Sequence, residues 1–129
     1  MTTLDDVPNL IDGEDRPAVS GAWIDKYRPF DGTLLCRVAR SGVEDAAAAV
    51  AVARRAQPGW AERTPVERGD LVRDIALALR ERREELSAVV SEAIGKPMAV
   101  ALAETDAAIE MGFFVAGEGR RSYGRTMPA

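Results

Sequence analysis

The residues that could do chemistry in this chain are few. It has one cysteine, Cys36, and no histidine. Without an imidazole, neither a Ser-His-Asp nor a Cys-His relay can be assembled. A zinc site with its usual nitrogen and sulfur ligands is excluded too, as is a disulfide within the chain. Cys36 lies in the apolar, strand-like run Leu34-Leu35-Cys36-Arg37-Val38. Nothing beside it would stabilise a thiolate, so it reads as a small buried hydrophobe. Gly117-Glu118-Gly119 opens like a dinucleotide fingerprint, but Ser122 stands at its third glycine position and the motif closes a helix instead of opening one. Gly95-Lys96 resembles the end of a phosphate loop, yet Val90 and Pro97 occupy the positions that would have to be glycine and Ser or Thr. The carboxylates lie in charged helical stretches with no sign of a convergent acid–base pair. No catalytic, cofactor-binding or metal-ligating residue is therefore assigned.

The elements available to position side chains fall into two regions. Residues 1–40 contain the short apolar runs Asn9-Leu10-Ile11, Ala22-Trp23-Ile24 and Leu34 to Val38. The dipeptides Asp12-Gly13, Ser20-Gly21 and Asp31-Gly32 separate them, which predicts a small antiparallel strand meander. Residues 41–129 are helical, with three main helices. Ser41-Gly42-Val43-Glu44 has the spacing of a capping box and starts an Ala-rich helix that Pro58-Gly59 should end near Gln57. Thr64-Pro65-Val66-Glu67 is a second box, with proline at the first helical position. Leu71, Ile75, Leu79, Leu86 and Val90 then keep helical spacing up to Gly95. The dense charge from Arg80 to Glu85 marks a break between two shorter helices, because roughly thirty residues is long for one globular helix. Pro97 starts the last helix, carrying Ala103, Ala107, Met111, Phe114 and Val115 to about Arg121, and Gly124 and Pro128 return the chain to extended form. The whole is mostly α with a short strand region, one incomplete domain.

Composition limits the partners. The chain has 129 residues, 47% hydrophobic and 29% charged, within the range of ordinary globular domains. Seventeen Lys and Arg against 21 Asp and Glu give a net charge of −4. Such a surface disfavours nucleic acid unless its positive charge is concentrated. Arg80, Arg82 and Arg83 are interleaved with Glu81, Glu84 and Glu85, so a solvated helix face with Arg80 and Glu84 paired is expected. Ala46 to Ala53, an uncharged helical stretch of eight residues, is far too short to cross a membrane. The acidic start, Met1-Thr-Thr-Leu-Asp-Asp, has no apolar segment after it, and a cytoplasmic protein is expected.

The order of these elements resembles the amino-terminal part of the NAD(P)-dependent aldehyde dehydrogenase family. Leu10-Ile11-Asp12-Gly13-Glu14 is similar to that family's opening strand and turn, I-N-G-E. Arg28-Pro29-Phe30-Asp31-Gly32-Thr33 stands where the family has N-P-x-T-G-E. Glu44-Asp45, the alternating Ala and Val that follow, Ala56 and Trp60 resemble its first helix. Thr64 to Leu71 resembles S-P-x-E-R-x-x-x-L, and Gly95-Lys96-Pro97 matches G-K-P. Phe113 to Gly117 and Gly124 to Pro128 resemble F-x-Y-x-A-G and G-x-T-x-P. Arg28 and Asp31 depart from the pattern, as do Asp12 and Asp15 in the opening turn. The match covers about residues 9 to 128.

The resemblance implies the amino-terminal scaffold of an α/β enzyme that oxidises an aldehyde to a carboxylate with NAD or NADP. It implies that the catalytic cysteine, the glutamate base, the oxyanion-hole asparagine and most of the nucleotide-binding sheet lie downstream. Cys36, in the strand region, is not that nucleophile. The chain would hold no cofactor itself and would pair with the rest of a dehydrogenase, with like subunits or with itself, as a truncated or split enzyme. The alternative is a non-catalytic helical module that associates with dehydrogenase subunits or another partner. Some family members hold a monovalent cation partly through an acidic residue near the position of Asp106, although a helix-surface carboxylate is the default there. The apolar stripes, Leu71 to Val90 and Met111 to Val115, would pack partly on a sheet that these residues do not encode.

Overall fold

The computed structural model describes residues 5–121. Its elements run β1 (Asn9–Ile11), β2 (Glu14–Arg16), β3 (Trp23–Tyr27), β4 (Leu34–Ala39), α1 (Val43–Ala61), α2 (Pro65–Glu81), α3 (Arg83–Ile94) and α4 (Met98–Glu118). The expected extended segment at Gly124 and Pro128 lies outside the described residues. The chain divides into two compact units, one of residues up to Gly59 with Val89–Lys96, the other of Trp60–Ala88 with residues from Pro97 onward.

In the first unit the strands make two separate antiparallel pairs, β1 with β2 and β3 with β4, in place of one continuous meander. Asp12 and Gly13 both have positive φ, 61° and 76°, the backbone that a tight two-residue hairpin turn requires. The turn folds β1 onto Glu14–Arg16, with Ile11 opposite Glu14. That strand carries no apolar residue and is wholly exposed, so it left no alternating pattern to read. In the second pair Ile24 faces Val38 and Trp23 faces Ala39. Val7 closes the other edge of β4: its N–H donates to the Arg37 carbonyl at 2.7 Å, and the Ala39 N–H donates to the Val7 carbonyl at 2.9 Å. Leu35 and Cys36 are both buried although neighbours on a strand point to opposite faces, so β4 is covered on both sides there.

Helix α1 starts differently from the expected box. Ser41 turns away, its hydroxyl donating to Asn9 Oδ1 at 2.6 Å. The cap comes one residue later than Glu44: Asp45 Oδ2 accepts from the Gly42 N–H at 2.8 Å, while its Oδ1 accepts from the Val19 N–H at 3.0 Å. One buried carboxylate thus starts the helix and fastens the Ala18–Gly21 turn. The helix also runs through Pro58 to Ala61 instead of ending near Gln57. Proline removes one hydrogen bond close to the helix end, where the released Arg54 carbonyl belongs to an exposed residue and can turn to water. Apart from Asp45 and the half-buried Val52, every α1 side chain is exposed.

The second unit follows its local signals closely. Thr64 Oγ1 accepts from the Glu67 N–H at 3.2 Å and Glu67 Oε2 accepts from the Thr64 N–H at 2.7 Å, completing the capping box ahead of Pro65. The helical stretch breaks at Arg82, within the expected charged segment, and gives α2 and α3. Arg80 therefore does not pair with Glu84 one turn on; its guanidinium lies 5.3 Å from the Phe113 ring centroid. Helices α2 and α4 meet through glycine. A Cβ on Gly119 would stand 2.2 Å from the Pro65 carbonyl oxygen, and one on Gly69 would stand 2.5 Å from that of Ala116. The buried positions are correspondingly small: Ala76, Ala101, Ser87 and Thr105, with Ile109 the one large buried side chain among the described residues of this unit. Ser87 and Thr105 satisfy each other, their hydroxyls 2.9 Å apart and the Thr105 hydroxyl donating to the Ala101 carbonyl at 2.9 Å.

Two outcomes are expected. Gly119→Ala meets backbone atoms that cannot rotate aside, so α2 and α4 must part, at a cost of about 1–3 kcal/mol. Gly59→Ala, with nothing within 4 Å of the new Cβ, adds about 0.5–1 kcal/mol of helix stability. The temperature at which half the far-ultraviolet helix signal is lost should fall for the first variant and rise for the second. The Gly42 and Val19 amides hold the Asp45 carboxyl below the usual carboxylate range. Its stabilisation is complete above the unfolded value, near pH 4, and is lost as pH falls through the depressed folded value. Amide exchange at Val19 and Gly42 should therefore accelerate below about pH 4 relative to exchange in the β3–β4 ladder, and Asp45→Asn should abolish that pH dependence.

Candidate functional site

The most organised polar cluster centres on Arg28, a residue the sequence marks only as a departure from a turn pattern. The turn beneath it is built locally. The Arg28 N–H donates to the Thr33 carbonyl at 2.8 Å and the Gly32 N–H donates to the Arg28 carbonyl at 2.9 Å, with Gly32 at φ 72°. Asp31 Oδ1 accepts from the Thr33 N–H at 2.9 Å and from its hydroxyl at 2.7 Å. The Thr33 amide, ahead of its hydroxyl, holds the Asp31 carboxyl below the ordinary range.

The Arg28 side chain is only 3% exposed. Its Nε donates to Glu92 of α3, and its Nη1 donates to Thr33 Oγ1 at 3.2 Å and to the Leu34 carbonyl at 3.1 Å. The planar guanidinium suits this task because its donors are fixed in a fork and it keeps its charge when buried. At the end of α3, Gly95 adopts φ 76°, and a Cβ there would stand 3.1 Å from Pro29 Cβ. The Ser91 hydroxyl donates to the Lys96 carbonyl at 2.7 Å, closing the corner before Pro97. Arg28 and Gly95 thus secure the β3–β4 turn to the last turn of α3.

Other candidate residues are kept apart from this cluster. Cys36 is buried on β4, opposite Lys26. Asp106 on α4 is bound at both oxygens by Arg83 of α3, Nε to Oδ1 at 2.5 Å and Nη2 to Oδ2 at 2.6 Å. That hydrogen bonding lowers the Asp106 pKa. The guanidinium thus occupies both carboxylate oxygens of Asp106. Among the described residues no group of three or more His, Cys, Asp or Glu could hold a metal ion. Gly117 and Gly119 end α4, and Gly119 serves the helix contact. A groove of about 340 Å³ beside it is lined by Pro65, Arg68, Gly69, Val72, Val115, Glu118 and Gly119. Its charged members, Arg68 and Glu118, make no nucleophile–base pair. The described arrangement consists of charged and glycine-built joints between elements.

The model of the aldehyde dehydrogenase family matches residues 17–129. Human (Homo sapiens) 2-aminomuconic semialdehyde dehydrogenase is 40% identical over 93 residues, covering 72% of this chain and 19% of its own length. Succinate-semialdehyde dehydrogenase (NADP(+)) of Escherichia coli strain K12 is 34% identical over 119 residues, covering 92% of this chain and 25% of its own. The crystal structure of lactaldehyde dehydrogenase from Escherichia coli superposes with a TM-score of 0.90 at 31% identity, over 97% of this chain and 26% of that one. An NAD-dependent aldehyde dehydrogenase from Sinorhizobium meliloti gives 0.90 at 29% identity, over 98% and 26%. The chain thus spans about a fifth to a quarter of the length of these curated relatives.

Replacing Arg28 tests the cluster. Arg28→Met keeps much of the volume but leaves the Leu34 carbonyl and Glu92 without their charged donor, a loss of about 1.5–3 kcal/mol. Protection of the β4 amides against exchange should fall by roughly tenfold or more. Arg28→Lys should recover only part of it, since an ammonium cannot reproduce the fork.

Proposed function

Because the chain belongs to the aldehyde dehydrogenase family, we propose that it is the amino-terminal scaffold portion of an enzyme oxidising an aldehyde to its carboxylate with NAD or NADP. The observation that carries this reading is the correspondence of nearly the whole chain to one quarter of solved aldehyde dehydrogenases. The internal roles of the shared motifs support it. Thr64 and Glu67 start a helix, and Gly95 turns a corner against Pro29. These are roles within the fold, as a scaffold portion requires.

In this reading the covalent step would belong to a cysteine thiolate outside these 129 residues, and NAD or NADP would supply the hydride acceptor. The residues present supply support to that machinery and hold no cofactor of their own. Their partners are the remainder of a dehydrogenase or like subunits, with self-association when these are missing. The apolar side chains left in water favour such partners: Ile75, Met111 and Phe114 are each 60% exposed. Burying a large apolar side chain contributes roughly 1.5–3 kcal/mol, which these positions largely forgo. Among the described residues no helix is long and apolar enough to cross a membrane. A cytoplasmic setting belongs to the same reading, and there the buried Cys36 would stay reduced.

The decisive assay is aldehyde-dependent NAD(P)H formation by the purified chain, alone and mixed with a polypeptide supplying the remaining family sequence. No turnover and no micromolar nucleotide binding by calorimetry are expected for the chain alone, and turnover is expected only in the mixture. Nucleotide binding by clean, monodisperse chain would overturn the scaffold assignment.

A further inference from the structure

We draw no further inference here: the strongest candidate, the set of exposed apolar side chains on α2 and α4 that includes Ile75, Met111 and Phe114, carries nothing beyond the family reading, because nothing in the structure shows what covers it.

Discussion

The close approach of α2 and α4 sets the terms for the second unit. Two helices can bring their backbones this near only where side chains are absent, and Gly69, Gly112 and Gly119 stand where a Cβ would meet its neighbour at 2.5, 3.0 and 2.2 Å. The neighbouring buried positions are then small as well, Ala76 and Ala101 among them. A core of alanine and glycine gains little from burial per residue. Much of the apolar area that these helices carry consequently faces outward, on Leu71, Ile75, Met111, Phe114 and Val115. The contact gives a well-defined geometry with a thin interior.

The first unit uses polar groups where the second uses glycine. Arg28, Asp45 and the Gly95 corner each fasten a turn to a helix, and two of the three place a charge out of water. A buried charge is tolerated when its hydrogen-bonding capacity is met and is costly when a partner is removed. The Arg28 fork reaches Glu92, Thr33 and Leu34, while the Asp45 carboxylate takes two backbone amides. These joints fix where the elements go and contribute no reactive group.

How much of this was legible in the sequence depended on how local the signal was. The Thr64 capping box, the break near Arg82 and the start of α4 after Pro97 follow from residues within one helical turn of each other, and all appear as expected. The first box is displaced by one residue: Asp45 takes the place expected of Glu44 and accepts from the Gly42 N–H, while the Ser41 hydroxyl donates to Asn9. Strand β2 carries no sequence signal because Glu14-Asp15-Arg16 buries nothing, so its pairing is set by the Asp12-Gly13 turn. Arg28 was out of reach for a different reason. Its partner Glu92 lies 64 residues away, and no spacing rule links them. The family resemblance, resting on ordered weak motifs across the whole chain, was the readable part of function.

In the proposed reading these elements depend on a body beyond themselves. Thermal unfolding of the isolated chain at low concentration, followed by far-ultraviolet dichroism with an apolar dye present, tests it most directly. Abundant helix, strong dye binding before any heating and a broad transition are expected, since the exposed apolar side chains withhold energy comparable with the roughly 5–15 kcal/mol by which a whole domain is stable. A sharp two-state transition of a monomer that binds no dye would contradict it and would show a self-sufficient core.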